Sequence, residues 1–481
     1  MGTIKDETLH GVKWSAVGNF SNTAVNFILG IILARLLEPS DYGIIGMTAI
    51  FFSIAGVFID GGFGSALIRK KDLTDIDSST IFYFNIVASL IIYGILYILS
   101  PYIAELLNVP IITDIIRVSG LTMVVGSLGS IHFSLLTKNI NFKTPSILNV
   151  SLNIFQAVLG IFLAYNGYGV WALVYPNVVV SIIRTVVIWM ISPWRPLATF
   201  SKKSFRELFS FGSNLVVNSI LDKIYNEGTA MIIGRFYSPQ SLGYYTKGMR
   251  NAQMPSTFLY NIVGGVTYPV LSKIQDDDKK LVSVYSKYIR IMSMVIFFAM
   301  ILFVALSRPY ILLLYSEKWE PAIIFLQLFC FRYLLYHIHA VNWNLLLVKG
   351  RSDLALRKEI INKTVKFTLL LSSIPFGIIT ICIAQILGSL SDLFVNTYFA
   401  GKVSEMGFRK QVSDFLPYLL LAIFACLPAY VLSLLDFPYF LQILSGGLLS
   451  CSVYFCILWV KKDDSLLELI KLTPAKKWIK V

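Results

Sequence analysis

Long runs of apolar residues, bounded by charged or turn-forming residues, recur along this 481-residue chain. A bilayer core about 30 Å thick is crossed by a helix of about 20 mostly apolar residues. Backbone groups in hydrocarbon must be satisfied within the segment, and a helix does this for a run of such length. The pattern therefore predicts an all-α, polytopic membrane protein and excludes a soluble enzyme.

The positions of these runs predict fourteen membrane-spanning helices. The least marked boundary divides one apolar run, 367–399, and it requires a tight turn near Pro375 and Gly377. The predicted spans are 14–34, 42–63, 80–100, 114–136, 145–165, 169–192, 209–233, 241–271, 288–306, 321–348, 360–379, 380–400, 413–434 and 438–460.

The chain carries 41 Lys and Arg residues against 27 Asp and Glu, which gives a net charge of +14. Most of the bases fall in alternate loops between the predicted spans, as in the run from Arg69 to Lys71. The opposite loops hold Arg35, Arg235, Arg308 and Lys318. Because short loops rich in Lys and Arg stay in the cytoplasm, this asymmetry predicts cytoplasmic termini and an even number of spans. It also explains the basic charge without a nucleic-acid partner.

The segment 26–43 recurs 200 residues later in the chain. The identical pairs are Asn26 and Asn226, Ile32 and Ile232, Arg35 and Arg235, Pro39 and Pro239, and Gly43 and Gly243. Six predicted helices separate the two copies, so both have the same orientation in the membrane. We therefore predict two six-helix lobes related by a parallel repeat, with two extra helices. The predicted domains are 1–200 (N-terminal lobe), 201–405 (C-terminal lobe), 406–460 (extra helices) and 461–481 (basic cytoplasmic tail).

Three motifs carry a resemblance to a known family: LARLLEPSDYG at 33–43, FIDGGFGSALI at 58–68 and GRFYSPQSLGYYTKG at 234–248. They resemble polysaccharide and O-antigen flippases, especially exporters of lipopolysaccharide, colanic acid and teichuronic acid. The superfamily also contains the multidrug and toxic compound extrusion proteins. The resemblance covers nearly the whole chain, and its motifs lie at turns and helix ends.

This resemblance implies a transporter, not an enzyme, in a bacterial inner membrane. It would move a polyprenyl-pyrophosphate-linked oligosaccharide, the repeat unit of O-antigen, capsule or exopolysaccharide, to the outer leaflet by alternating access. The expected partners are this lipid-linked substrate and membrane lipids, with a polysaccharide polymerase and glycosyltransferases as further candidates. No cofactor is expected.

Ionisable residues at membrane depth are costly and usually face a cavity or a partner. The bases Lys223, Lys247, Arg250 and Arg332 lie in predicted spans of the second half of the chain. We predict that they line a hydrated cleft between the lobes and bind the substrate pyrophosphate, although Lys247 is also within reach of the outer interface. Arg184 lies eight residues from the inner end of its span, and we predict that it extends to the interface as an anchor.

Asparagines form stripes on two predicted helices. Asn19, Asn22 and Asn26 share one face of the first helix, and Asn214 and Asn218 form a similar stripe on the seventh. Two interpretations remain open: these amides bind sugar hydroxyls, or they hydrogen-bond neighbouring helices to each other.

Membership of the superfamily implies that an ion gradient is one source of direction for transport. The titratable candidates for such coupling are Asp60, Asp222, Glu227 and Asp392. Consumption of the product by polymerisation is the alternative. We predict no metal site: the five cysteines all lie in predicted spans, and residues two apart on a helix, as in the sequence His-Ile-His at 337–339, point in different directions.

Three other functions are less well supported. A cation-coupled multidrug antiporter would favour an acidic cavity, whereas the charge at membrane depth here is mainly basic. A membrane glycosyltransferase or polymerase would need a soluble domain or a long outer loop. A sugar porter of the major facilitator superfamily would show an Asp-Arg-x-Gly-Arg pattern after its second helix, where this chain has Arg-Lys-Lys-Asp at 69–72.

Overall fold

The computed structural model describes the backbone of residues 4–139 and 141–472. Within these ranges it describes the side chains except at 4–13, 15–17, 211–215, 217–218, 259, 261–270 and 470–472. Every element in these ranges is helical, which confirms the all-α prediction. The α-helices are α1 Ile4–Leu36, α2 Pro39–Asp60, α3 Phe63–Arg69, α4 Asp75–Leu107, α5 Ile112–Lys138, α6 Lys143–Tyr165, α7 Trp171–Ile191, α8 Lys202–Phe236, α9 Pro239–Lys273, α10 Asp278–Ala305, α11 Ser307–Tyr315, α12 Ala322–Leu334, α13 Tyr336–Val348, α14 Ser352–Ser373, α15 Ile378–Val403, α16 Phe408–Ser433, α17 Tyr439–Val460 and α18 Asp464–Leu472.

The chain forms two compact units, of which the first ends at Gly243. In this unit α4 packs along α5, α2 along α8, and both α5 and α6 along α7. An apolar cluster at one end of the unit joins α3, α4, α5 and α8. Its members include Phe63, Ile81, Phe82, Ile131 and Leu208, all of them buried.

A glycine pair makes the turn between α2 and α3. Gly61 and Gly62 have φ angles of 54° and 73°, in the left-handed region that glycine occupies without steric penalty. The turn directs Phe63 into the apolar cluster, where its ring centroid lies 5.1 Å from that of Phe84.

The basic loop after α3 is fixed by ion pairs. Lys70 Nζ lies 3.1 Å from a carboxylate oxygen of Asp77 at the start of α4 and 3.1 Å from one of Glu207 on α8. Burial opposes the charged form of Lys70, but its bonds to these two carboxylates outweigh that effect and raise its pKa. The loop therefore links the N-terminal parts of α4 and α8.

The second unit begins at Tyr244. In it α10 packs along α16, α16 along α17, and α12, α13 and α14 all contact α15. Arg290 on α10 pairs with Asp414 on α16 at 2.7 Å, and the Asp414 side chain is fully buried. Tyr454 on α17 donates from its hydroxyl to the Met294 carbonyl at 2.8 Å. Polar contacts thus link the helices of an otherwise apolar core.

Corresponding helix ends recur at the predicted spacing of 200 residues. Pro39 begins α2 and Pro239 begins α9, each with two residues between it and the preceding helix, as suits a residue with no N–H to donate. A Cβ atom on Gly43 would overlap the Pro239 carbonyl, and one on Gly243 would overlap the Pro39 carbonyl. The repeated glycines are therefore required by two reciprocal close contacts between helix starts.

Ten helical stretches in the described part of the chain are long and apolar enough to cross a membrane. This confirms a multi-pass membrane protein. Four further long helices, α1, α8, α9 and α14, coincide with predicted spans but are not among these ten; α1, α8 and α9 contain residues whose side chains are not described, and α14 is fully described and rich in charged residues. These four contain many of the predicted site residues. The total of fourteen crossings stays a prediction.

A tight turn separates α14 from α15, as the sequence predicts. The 3-10 helix Ile374–Phe376 follows α14, and Gly377 has a φ angle of 103°. α14 already ends at Ser373, so the break lies a few residues before the predicted boundary at 379 and 380. The positive φ explains why a glycine stands at this point.

Candidate functional site

Arg332 is held in the second unit by neutral groups. It lies on α12 and is half-buried, and its Nη1 donates to Oε1 of Gln385 on α15. The amide of Gln385 in turn donates to the Tyr245 hydroxyl on α9 at 2.8 Å. The guanidinium carbon lies 5.2 Å from the ring centroid of Tyr333 and 5.6 Å from that of Phe329. These contacts fix the direction of the cation while adding no opposite charge of their own.

The network continues along α15. Ser389 Oγ donates to the Arg332 carbonyl at 3.1 Å and lies 3.1 Å from His339 Nε2 on α13. Nδ1 of the same histidine lies 3.1 Å from the amide nitrogen of Asn396, whose oxygen accepts from Asn362 on α14 at 3.0 Å. We call this set of linked side chains the polar column. Its members are Tyr245, Arg332, His339, Asn362, Gln385, Ser389 and Asn396.

An ion pair lies beside the polar column. Lys366 Nζ on α14 is 2.5 Å from a carboxylate oxygen of Asp392 on α15, whose side chain is 9% exposed. Nearby on α14, the buried Lys358 places its Nζ 4.9 Å from the ring centroid of Trp343. Asp392, a predicted candidate for ion coupling, therefore already has a cation from the protein itself.

Lys247 and Arg250 occupy different surroundings on α9. Lys247 is buried, and its Nζ lies 4.2 Å from the ring centroid of Tyr315 and 5.4 Å from that of Trp319. Arg250, three residues on, is exposed. A ligand can thus reach Arg250 directly, whereas Lys247 is enclosed by aromatic rings in this conformation.

The predicted residues of α8 lie on its more accessible faces. Lys223 and Glu227 are half-buried and Asp222 is exposed. The side chains of Asn214 and Asn218 lie outside the described residues. The structure therefore locates the charged candidates of this helix but leaves its asparagine stripe undescribed.

The predicted site residues of the first unit do not lie together at one site. Asn22 on α1 accepts from the Asn153 amide on α6 at 3.0 Å, while Asn19 and Asn26 are exposed. Asn22 thus links helices, which is the second interpretation of that stripe. Asp60 ends α2, and its carboxylate accepts from the N–H groups of Gly62 and Gly64, so it caps the start of α3.

The sequence analysis overlooked the neutral members of the polar column. Gln385, Ser389, Asp392 and Asn396 recur at intervals of four, three and four residues, which places them on one face of α15. This is the spacing that reveals the asparagine stripe of α1, so the signal was present.

The two nearby histidines have separate partners. His337 Nε2 lies 2.9 Å from Ser293 Oγ on α10, whereas His339 contacts α15, which confirms that the pair does not converge. In the described part of the chain, no group of three His, Cys, Asp or Glu side chains is placed to hold a metal ion.

Comparison with known proteins gives a consistent result. A family profile described as polysaccharide biosynthesis protein matches residues 32–324. The chain is 23% identical to the teichuronic acid biosynthesis protein TuaB of Bacillus subtilis strain 168 over 357 residues, 74% of each chain. It is 24% identical to the lipopolysaccharide biosynthesis protein WzxC of Escherichia coli strain K12, over 74% of this chain and 73% of that one. Among solved structures, the lipid II flippase MurJ in an inward closed conformation superposes with a TM-score of 0.77 at 17% identity, over 92% of this chain and 98% of that one.

Proposed function

Because the chain belongs to the polysaccharide biosynthesis protein family, we propose that it is a flippase for polyprenyl-pyrophosphate-linked oligosaccharide. It moves this lipid from the cytoplasmic to the outer leaflet of a bacterial inner membrane. The names of its relatives, which refer to teichuronic acid and lipopolysaccharide biosynthesis, support this class of substrate. The similarity to MurJ supports the transporter fold.

The observation that carries this proposal is the polar column. A sugar headgroup and its pyrophosphate cannot cross hydrocarbon unaided, because each unpaired polar group costs several kcal/mol and each charge more. The column places amides, hydroxyls and the Arg332 guanidinium on α9, α12 and α15 within the second unit. Such groups replace the water that the headgroup loses.

Arg332 is the base that we assign first to the pyrophosphate. Gln385 and the flanking rings orient its guanidinium, and a planar guanidinium suits bidentate contact with phosphate oxygens. Arg250 is exposed and is the second candidate. Lys223 and Lys247 complete the set, the latter after a change that opens its aromatic enclosure.

The rest of the mechanism follows from this assignment. Alternating access exposes the headgroup site to each side of the membrane while the polyprenyl chain stays in lipid, so no covalent bond changes and the protein is not an enzyme.

We also propose that both termini lie in the cytoplasm. The proposed domains are those that the sequence repeat predicts: 1–200, 201–405, 406–460 and 461–481. A polysaccharide polymerase and glycosyltransferases are the proposed partners.

The test is a flipping assay in proteoliposomes. The probe is a polyprenyl-pyrophosphate-linked N-acetylglucosamine present in both leaflets, and an added galactosyltransferase reports the fraction whose headgroup faces outward. Wild-type protein is expected to make nearly all of the probe accessible. Arg332→Gln should slow this by about tenfold or more, since a charged hydrogen bond is lost.

The matched control is Arg308→Gln. Arg308 is half exposed and pairs with Glu320 at 3.7 Å, away from the polar column, so its removal should leave the rate unchanged. If wild-type protein fails to expose the inner-leaflet probe but moves a cationic dye, the multidrug antiporter interpretation is correct and the flippase proposal is wrong.

A further inference from the structure

The first unit contains a cleft of about 490 Å³ between α2, α5, α6 and α7, which we call the first-unit cleft. Its volume lies in the range of small-molecule sites. Hydroxyl and amide side chains from all four helices line it, including Thr48, Thr122, Gln156, Asn177 and Thr185, together with the guanidinium of Arg184. A cleft with such a lining at membrane depth is unlike the packing that apolar helices give by themselves.

Arg184 contributes to the lining of this cleft, whereas the sequence predicts that it extends to the interface as an anchor. It lies about 10 Å along the helix axis from the end of α7 at Ile191. Its Nε atom is buried and has no hydrogen-bond partner in the described part of the chain. The residues that line the cleft include neither Asp nor Glu. A half-buried guanidinium that has a buried, unpaired Nε and no carboxylate in the cleft lining is stabilised when an anion approaches it.

The neutral side chains of the cleft are oriented to accept hydrogen bonds. The hydroxyls of Thr48 and Thr185 donate to the carbonyls of Ile45 and Val125, both at 2.9 Å. Each hydroxyl proton is therefore used, and the oxygen lone pairs remain for a ligand.

The two amides of the lining hold each other in place. Gln156 Nε2 donates to Asn177 Oδ1 at 2.9 Å, and Asn177 Nδ2 donates to the Leu173 carbonyl at 2.6 Å. These bonds leave Oε1 of Gln156 as another acceptor. The first-unit cleft thus combines several acceptors with one cationic donor, which fits a ligand with many hydroxyl donors and one negative charge.

We propose that the first-unit cleft binds one acidic sugar residue, and that Arg184 pairs with its anionic group. This inference rests on the proposed function, because a glycan headgroup is the source of such a sugar. It also makes the substrate class narrower: the transported glycan carries a carboxylate or phosphate substituent in addition to the pyrophosphate of its lipid carrier.

The test is equilibrium binding of radiolabelled glucuronate to the full-length protein in lipid nanodiscs, with glucose and inorganic pyrophosphate as competitors. Glucuronate should bind to wild-type protein, and Arg184→Gln should weaken it about tenfold or more, because a charge-assisted bond is lost. Arg184→Lys should restore part of the affinity. Excess glucose should displace glucuronate only weakly.

The matched control is Arg117→Gln. Arg117 is another half-buried arginine of the first unit, but its Nε donates to Ser100 at 3.1 Å and its guanidinium lies over the Tyr97 ring at 4.5 Å. This variant should bind glucuronate like the wild type. Thermal unfolding of both glutamine variants shows whether either has lost its fold, and Arg184→Lys provides the measurement if Arg184→Gln has.

Two results would overturn the proposal. One is glucuronate binding that is unchanged in both Arg184 variants. The other is displacement of glucuronate by low concentrations of pyrophosphate in a way that depends on Arg184. Arg184 would then bind the pyrophosphate of the lipid carrier and not an acidic sugar. A failure of the flipping assay combined with Arg184-dependent glucuronate binding would contradict the proposed function alone.

Discussion

Lys366 supplies the charge that balances Asp392. Lys366→Met would leave a nearly buried carboxylate without its cation, and breaking such a pair costs about 3 kcal/mol. We expect each single variant, Lys366→Met and Asp392→Asn, to lower the free energy of unfolding, and the double variant to be less destabilised than the sum. Thermal unfolding in detergent, analysed as a double-mutant cycle, measures the coupling.

Arg351→Met is the control for this cycle. Arg351 directly precedes α14, and its ion pair with Asp353 at 2.9 Å is exposed at both residues, so its loss should leave the free energy of unfolding nearly unchanged. Additive effects of Lys366→Met and Asp392→Asn would show that the pair contributes no coupling.

The charged residues of the candidate site were predictable from the sequence, but their partners were not. The pattern of charges located Arg332 and Asp392 in apolar helices, but it did not show that Gln385 and Lys366 contact them from neighbouring helices. Such partners depend on how helices pack, which one helix's periodicity does not specify. For the same reason the sequence predicted that Arg184 extends to the membrane interface, whereas the structure places it in the lining of the first-unit cleft.

At the level of helices, the reciprocal contacts at Gly43 and Gly243 predict steric sensitivity. Gly43→Ala and Gly243→Ala each place a methyl group against a proline carbonyl of the other helix start, where neither backbone can move freely. Each should destabilise the protein by about 1–3 kcal/mol, as overpacking does. The measurement is the midpoint of thermal unfolding.

The control for this prediction is Gly56→Ala. Gly56 lies on the same helix as Gly43, and an added Cβ would have no atom within 4 Å. Alanine should be neutral or slightly stabilising there, since it favours helix. Equal effects at positions 43 and 56 would contradict the importance of the close contact.

Helix positions were predictable because membrane thickness sets their length. Each predicted span falls on helical residues, although the span 321–348 is divided into α12 and α13, and the glycine at 377 marks the break that periodicity alone left unresolved. The predicted ends of the helices were less accurate. α14 stops before the predicted boundary because the backbone enters a 3-10 turn at Ile374. Turn geometry of this kind depends on a few φ angles and has little effect on average hydropathy.

For the whole molecule, the distribution of Lys and Arg predicts a topology that labelling can check. In a cysteine-free background, Glu317→Cys should react with a membrane-impermeant maleimide in intact cells, because its loop is predicted to lie outside. Lys279→Cys should react only after the cells are permeabilised. The reverse pattern would mean that the termini face outward.

Ion coupling is a further property of the whole transport cycle. Asp60 caps α3 and Asp392 is paired with Lys366, which leaves the carboxylates of α8 as the better candidates. If a proton or sodium gradient accelerates flipping, Glu227→Gln should remove that response while Asp60→Asn keeps it. Flipping in proteoliposomes with and without an imposed gradient is the measurement. A full response in Glu227→Gln would exclude that carboxylate.

The polarity of α14 has a consequence for biosynthesis. A helix with so many charged residues enters a bilayer poorly by itself. If α14 spans the membrane, as the sequence predicts, it needs an apolar neighbour beside it during synthesis. The apolar helix α15, along which α14 packs, follows it directly in the chain. Stable insertion of α14 would then await the synthesis of α15, so that the two helices enter the bilayer as a pair.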